Sequence, residues 1–114
     1  MKITRRCKSR LDPPASSAGP ARDSALAHGI DMFVMATGGS LPADTEALHL
    51  AATVPDANVR AVWACRDMIT IDIAGGRGPR PADGHSHLPE GPGLGVQPDE
   101  TRLGAPVAVY GVPP

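Results

Sequence analysis

The stretch from Pro89 to Glu100 reads PEGPGLGVQPDE and contains three glycines, three prolines and a closing pair of acids. Neither glycine nor proline suits the interior of a helix or a strand. The stretch is therefore either a loop that must hold a fixed shape or a segment without a fold. The rest of the sequence has to decide which of the two applies.

The composition permits one small domain with a modest core. The chain has 114 residues, of which Leu, Ile, Val and Phe together supply 22. That share borders on the disordered range, but such disorder also requires a high net charge, and here the formal net charge is −1. The near-zero net charge also argues against nucleic-acid binding. The one basic run, Lys2–Arg10, is short and has no aromatic residue on which a base could stack.

The cysteines and the hydropathy pattern indicate the compartment. Cys7 and Cys65 do not make a disulfide framework and are predicted to be unpaired thiols. No apolar run reaches the length of a membrane span. The basic N-terminus has no apolar segment directly behind it, so it is not a signal peptide. We therefore expect a cytoplasmic protein that makes no contact with a membrane.

The periodicity predicts alternating strands and helices over the first two thirds of the chain. The strongest helix signal is LPADTEALHLAATV, where Ser40 can cap the first turn and Pro42 fits within it. This order is typical of βαβ units, which form a parallel sheet covered by helices. The predicted elements are a strand remnant at Met1–Thr4, helices at Ala21–His28 and Leu41–Val54, and strands at Ile30–Met35, Asn58–Cys65, Met68–Ile73 and Val107–Tyr110.

Local motifs alone do not reveal an activity. GGRG (Gly75–Gly78) and GPGLG (Gly91–Gly95) lack the Gly-Lys-Ser/Thr of a phosphate-binding loop and are better explained as structural turns. His85 and His87 form either a metal-binding pair, helped by Asp83 and Glu90, or a solvated hairpin. Cys65 is either a thiolate activated by its neighbouring arginine or a buried strand thiol. The solvated hairpin and the buried strand thiol are the favoured interpretations.

Longer stretches, however, resemble the mandelate racemase/muconate lactonizing branch of the enolase superfamily. The C-terminal tail of that family typically reads as a short Asp-Gly hairpin, a proline, Pro-Gly-Leu-Gly-Val and then acids, as in PADGHSHLPEGPGLGVQPDE here. HLAATVP resembles the family's last barrel helix, and RAVWACRDMIT resembles its final barrel strand. The motif ACRDMIT, together with LGAPVAVY, most resembles the sequences of the subgroup that dehydrates cis-3-hydroxy-L-proline. MKITR resembles the end of the sixth barrel strand, which carries a lysine.

The resemblance implies a fold and a division of the chain. The fold class is α/β, a partial (β/α) barrel of the TIM type that holds only the last strands and helices. It is followed by a loop-rich tail that belongs to a capping domain. Residues 1–20 are expected to be a divergent, disordered segment with a strand remnant at its start. Residues 21–73 would be barrel βα units, and residues 74–114 a Pro/Gly-rich tail with a short hairpin.

The resemblance also implies a chemistry. Family members use Mg²⁺ to stabilise the enolate formed when the α-proton of a small carboxylate substrate is removed, with lysines as acid and base. Carried over to this chain, it makes Lys2 a catalytic acid/base residue and Thr37, Gly38, Gly39 and Cys65 substrate-binding residues. No metal ligand is assigned, because Asp31, Asp44 and Asp72 do not match the family's ligand positions.

Between Arg6 and Gly19 the sequence departs from the family, which continues there with Gly-Gly and a basic helix. A disturbed reading frame, or a start inside a degraded gene, would explain this departure. A complete barrel takes about 250 residues, so we expect the chain alone to lack the metal-binding strands, to bind no Mg²⁺ and to be inactive. The alternatives are a subunit that complements a separately encoded N-terminal half, a homo-oligomer, and a small non-enzymatic interaction module.

Overall fold

A computed structural model of the chain describes residues 2–4, 18–36 and 40–111. Its helices and strands are, in chain order, β1 (Lys2–Thr4), α1 (Ala18–Ala27), β2 (Met32–Met35), α2 (Leu41–Ala52), β3 (Val59–Trp63), β4 (Pro81–Ala82) and β5 (His85–His87). Short 3₁₀ turns lie at Asp56–Asn58, Arg66–Met68 and Glu100–Arg102. The described part is therefore an α/β structure, as the sequence predicts.

The centre of the fold is the unit formed by β2, α2 and β3. The two strands pair in parallel, with Val34 opposite Val62. Helix α2 lies on one face of the pair and contributes Leu48 and Ala51 to a cluster that buries both valines. Two parallel strands joined through a helix that covers them form a βαβ unit. Because burying a large aliphatic side chain contributes about 1.5–3 kcal/mol, this small cluster provides a modest core.

Helix α2 begins at the residue that the sequence indicates. Ser40 is extended, with φ −120° and ψ 175°, and Pro42 lies in the first turn. The hydroxyl of Ser40 caps nothing, but its carbonyl accepts a hydrogen bond of 3.0 Å from the N–H of Asp44. The last helical residue is Ala52, two residues before the predicted end at Val54.

A second, smaller sheet has the strand order β1, β5, β4. Strand β1 pairs with β5 in parallel, with Lys2 opposite His85, and β4 pairs with β5 antiparallel. Asp83 and Gly84 connect β4 and β5 with φ values of 50° and 72°, the conformation that suits a two-residue hairpin turn. Helix α2 contacts β1 as well as β2 and β3, so it lies between the two sheets.

The Pro/Gly-rich stretch packs on α2 in a fixed shape. The ring nitrogen Nε2 of His49, a buried residue of α2, lies 3.1 Å from the carbonyl oxygen of Leu94. Gly95 has φ +71°, and a Cβ at this position would meet the Cβ of Pro89 at 2.7 Å. The glycine is needed because the loop folds back on its own proline there, and the stretch is therefore a loop of fixed shape.

One predicted strand is wrong. Met68–Ile73 alternates apolar and polar residues as a half-buried strand does, but the structure has a 3₁₀ turn at Arg66–Met68 followed by further turns. The carboxylate of Asp72 accepts hydrogen bonds from the N–H groups of Ala74 and Gly76, at 2.9 and 2.5 Å. A side chain that binds nearby backbone N–H groups in this way competes with strand pairing.

The predicted strand at Val107–Tyr110 is also wrong. These residues pair with no strand among the described residues, and the side chains of Val107 and Tyr110 are fully exposed. A strand needs a neighbour to bind its backbone groups, and the described part of the chain offers none here. Helix α1 begins at Ala18, three residues earlier than predicted, while residues 5–17, with Cys7, lie outside the described residues.

Candidate functional site at the carboxyl ends of strands β2 and β3

The carboxyl ends of β2 and β3 meet in a buried junction. Ala36, directly after β2, donates its N–H to the carbonyl of Trp63 at 3.2 Å. The thiol of Cys65 donates to the carbonyl of Ala36 at 2.7 Å. Both residues are nearly inaccessible to solvent, with 6% of Ala36 and 3% of Cys65 exposed. In parallel α/β sheets, ligands bind outside this end of the strands.

Asp44 joins helix α2 to the same junction. Its Oδ1 accepts a hydrogen bond of 2.9 Å from the N–H of Cys65, and only 1% of the residue is exposed. Its position in the first turn of α2 places the carboxylate at the positive end of the helix dipole. The sequence did not predict the role of Asp44 at this junction. Its contact with Cys65 spans 21 positions of the sequence and has no local signal.

The opposite face of the strand pair is apolar and open. Phe33, Met35 and Trp63 are 54%, 40% and 47% exposed, and they alternate with the buried valines that face α2. Met35 lies opposite Trp63 in the register. Strands of parallel sheets are usually covered on both faces. Within the described residues, β2 and β3 are covered on one.

The predicted site residues do not all meet at this junction. Cys65 lies in it, as a buried residue whose thiol contacts the carbonyl of Ala36. Thr37, Gly38 and Gly39 lie outside the described residues, between the junction residue Ala36 and Ser40. Lys2 lies in a strand, but that strand pairs with β5 and not with β2, the neighbour that a sixth barrel strand would have. The roles of these residues stay predictions.

The three aspartates that do not match the family's ligand positions make separate contacts. Asp31 forms an ion pair with Arg60 at the amino ends of the strands. Asp44 and Asp72 accept the backbone N–H bonds described above. In the described ranges 2–4, 18–36 and 40–111, no group of three His, Cys, Asp or Glu side chains could hold a metal ion. This part of the chain therefore does not fit the Mg²⁺ of the family.

The two histidines of the hairpin give no support to a metal pair. His85 Nδ1 lies 2.8 Å from the carbonyl of Asp83, and His87 is exposed. The residue between them, Ser86, is buried, so both imidazoles lie on the outer side of the strand. This arrangement is that of a solvated hairpin.

A charged cluster ties the tail to the turns after β3. The N–H of Asp99 donates to the carbonyl of Ile73 at 2.5 Å, and Arg102 forms a 3.4 Å ion pair with Asp99. Hydrogen bonds from the N–H groups of Ala74 and Gly76, together with nearby arginines, outweigh desolvation and hold the pKa of Asp72 below its usual value. The hydroxyl and N–H of Thr101 lower the pKa of Asp99 in the same way.

None of the described helices has the length and apolar character that crossing a membrane would require.

Comparison with known proteins places the chain in a family. Residues 20–102 match the family model described as enolase C-terminal domain-like. A cis-3-hydroxy-L-proline dehydratase from Roseibium aggregatum is 35% identical over 89 residues, which cover 78% of this chain and 24% of that enzyme.

Solved structures agree with this placement. A protein from Silicibacter pomeroyi assigned to the mandelate racemase/muconate lactonizing enzymes superposes with a TM-score of 0.76 at 74% identity, over 82% of this chain and 26% of its own. A member of the enolase superfamily from Roseovarius nubinhibens has a TM-score of 0.74 at 44% identity, over 80% of this chain and 25% of its own. That member was also solved in complex with magnesium.

The chain thus spans about a quarter of the length of the relatives it matches. The matched residues include β2, α2, β3 and the Pro/Gly-rich loop, which are the elements that form the buried junction and its support. The chain belongs to the mandelate racemase/muconate lactonizing branch of the enolase superfamily, of which it carries part of the C-terminal domain.

Proposed function

We propose that this chain supplies the last barrel strands of an enolase-superfamily enzyme that removes the α-proton of a small carboxylate, as a dehydratase or epimerase of substrates such as cis-3-hydroxy-L-proline. The observation that carries the proposal is the match over residues 20–102, which includes the carboxyl ends of β2 and β3. The name of the Roseibium relative suggests the substrate class.

In this proposal the chain's residues take three roles. Lys2 moves the proton at the α-carbon as general acid or base. Thr37, Gly38 and Gly39, which follow β2, contact the substrate together with Cys65, which follows β3. Magnesium would be held by the parts of the relatives that lie outside the match, because the described residues offer no set of ligands. By itself the chain is expected to be inactive, and its tail would pack on a capping domain.

A graft into a long relative tests the proposal. Residues 18–111 of this chain replace the matching segment of the Silicibacter pomeroyi protein, and solvent deuterium exchange at the α-carbon of cis-3-hydroxy-L-proline is followed by NMR. Because the two segments are 74% identical over the superposed part, we expect the graft to exchange within tenfold of its unmodified host. A host that exchanges no proline derivative would refute the substrate class. A folded but inactive graft in an active host would refute the role of this segment.

One observation also favours the complementing role. The apolar face formed by Phe33, Met35 and Trp63 is exposed, although parallel strands are usually covered on both faces. The remainder of a barrel, supplied as a separate polypeptide, would cover it. Mixing this chain with the host truncated before the matched segment should then restore α-proton exchange, and it should quench or shift the fluorescence of Trp63. Unchanged fluorescence would refute complementation.

A further inference from the structure

We propose that Asp44 is a positioning residue, which fixes the carboxyl ends of β2 and β3 at the end of the sheet where the substrate would bind. The inference rests on the proposed function for its catalytic consequence, whereas its structural part concerns this chain alone. Asp44 itself would touch no reacting atom, because only 1% of it is exposed.

Burying the side chain of Asp44 costs free energy. A buried carboxylate loses its hydration, and an apolar residue of similar size often serves packing equally well. Oδ1 of Asp44 binds the N–H of Cys65, and among the described residues Oδ2 accepts no hydrogen bond. A residue that only packed α2 against the strands would not need a carboxylate. The carboxylate of Asp44 is needed for its hydrogen bond with the N–H of Cys65.

A continuous line of short contacts begins at Asp44. Asp44 Oδ1 lies 2.9 Å from the N atom of Cys65, and the Sγ of Cys65 lies 2.7 Å from the carbonyl oxygen of Ala36. Ala36 in turn donates to the carbonyl of Trp63. One carboxylate therefore reaches the end of both strands.

The helix that carries Asp44 is held rigidly in place. Asp44 lies in the first turn of a 12-residue helix, and its own N–H binds the carbonyl of Ser40. Four residues further along, Leu48 is buried in the core against both strands. The helix therefore has little freedom to move, and it transmits this fixed position to Cys65 and Ala36 through the carboxylate.

The thiol of Cys65 makes the structural part testable in the full chain. In a Cys7→Ser background, Cys65 is the sole thiol, and its reaction with DTNB is timed under native conditions. We expect Asp44→Ala to accelerate the reaction at least tenfold, and Asp44→Asn to have a smaller effect because its amide oxygen still accepts a hydrogen bond. Glu46→Ala, an exposed acid on the same helix, should leave the rate unchanged.

General destabilisation would also expose the thiol, so Leu48→Ala is measured beside these variants. Each labelling rate is compared with the fraction of unfolded chain obtained from urea titration. Asp44→Ala should label faster than its unfolded fraction accounts for, whereas Leu48→Ala should follow its unfolded fraction. If both variants fall on the same relation, Asp44 only stabilises the fold and the proposal is wrong.

The catalytic consequence is measured in the graft. A misplacement of about 1 Å in a catalytic site can lower the rate about 100-fold, so Asp44→Ala should lower kcat by that order with a smaller change in KM. Asp44→Asn should recover part of the loss, and Leu48→Ala should leave kcat per folded molecule unchanged. An active graft that tolerates Asp44→Ala would refute the positioning role, whereas an inactive unsubstituted graft would refute the proposed function.

Discussion

Replacing Gly95 by alanine should loosen the Pro/Gly-rich loop from helix α2. Gly95 has φ +71°, where a residue with a Cβ is disfavoured by about 1–2 kcal/mol. The added Cβ would also lie 2.7 Å from the Cβ of Pro89 and 3.0 Å from its carbonyl oxygen. These atoms belong to a rigid ring and to the backbone, so relieving the overlap should cost a further ~1–3 kcal/mol.

The total of about 2–5 kcal/mol is large beside the 5–15 kcal/mol by which small domains are usually stable. We expect urea unfolding, followed by the fluorescence of Trp63, to shift to lower denaturant concentration. The ring ¹⁵N signals of His49 should move as its contact with Leu94 is lost. Gly93→Ala is the matched control, because Gly93 has a similar φ of +65° but nothing within 4 Å of the added Cβ.

The difference between the two variants isolates the close approach to Pro89. Gly95→Ala should be less stable than Gly93→Ala by about 1–3 kcal/mol. If the two variants unfold at the same urea concentration and leave His49 equally unperturbed, the loop does not fold back on its proline, and the reason given for the glycine is wrong.

Three further predictions concern catalysis, acid stability and association. In a graft that begins at residue 2, Lys2→Ala should abolish α-proton exchange with solvent deuterium, and undiminished exchange would contradict the role proposed for this lysine. Because the folded-state pKa values of Asp72 and Asp99 are lowered, their contribution to stability is complete above their unfolded-state pKa and is lost as the pH falls through the folded values. The double variant to asparagine should therefore show a flatter loss of stability below pH 4 in acid titrations followed by circular dichroism, and an unchanged slope would refute this reading. Phe33→Thr, on the exposed face, should reduce concentration-dependent association in sedimentation at little cost in stability. Val34→Thr, on the buried face, should destabilise the chain by about 1–3 kcal/mol. Equal stabilities of the two variants would contradict the assignment of the two faces.

Elements with local signals were predicted well. Helix α2 begins at Leu41 as predicted, because an extended serine and a first-turn proline mark its start. The apolar residues around Val34, bounded by a turn, predict a strand, which is two residues shorter in the structure. The tail motif that carried the family resemblance lies within the residues that match the family model.

The errors arose where local patterns compete with contacts that are distant in sequence. The alternation in Met68–Ile73 fits a strand, but Asp72 binds backbone N–H groups and Asp99 binds the carbonyl of Ile73 from 26 positions away. Val107–Tyr110 has the residues of a strand, and no partner strand among the described residues. A strand forms only when a second strand takes up its backbone hydrogen bonds.

The sequence by itself determined the α/β class, the family and the position of α2, because hydrophobic periodicity, turn residues and family motifs are formed by residues that are close together in the sequence. Only the tertiary structure decided that Lys2 lies beside His85, and that the carboxylate of Asp44 holds the backbone of Cys65. These contacts join residues 83 and 21 positions apart, and hydrogen bonds over such separations depend on how the elements pack. A buried carboxylate and an exposed one have the same letter in a sequence. The packing of α2 on the two strands is what removed Asp44 from water and gave it a partner.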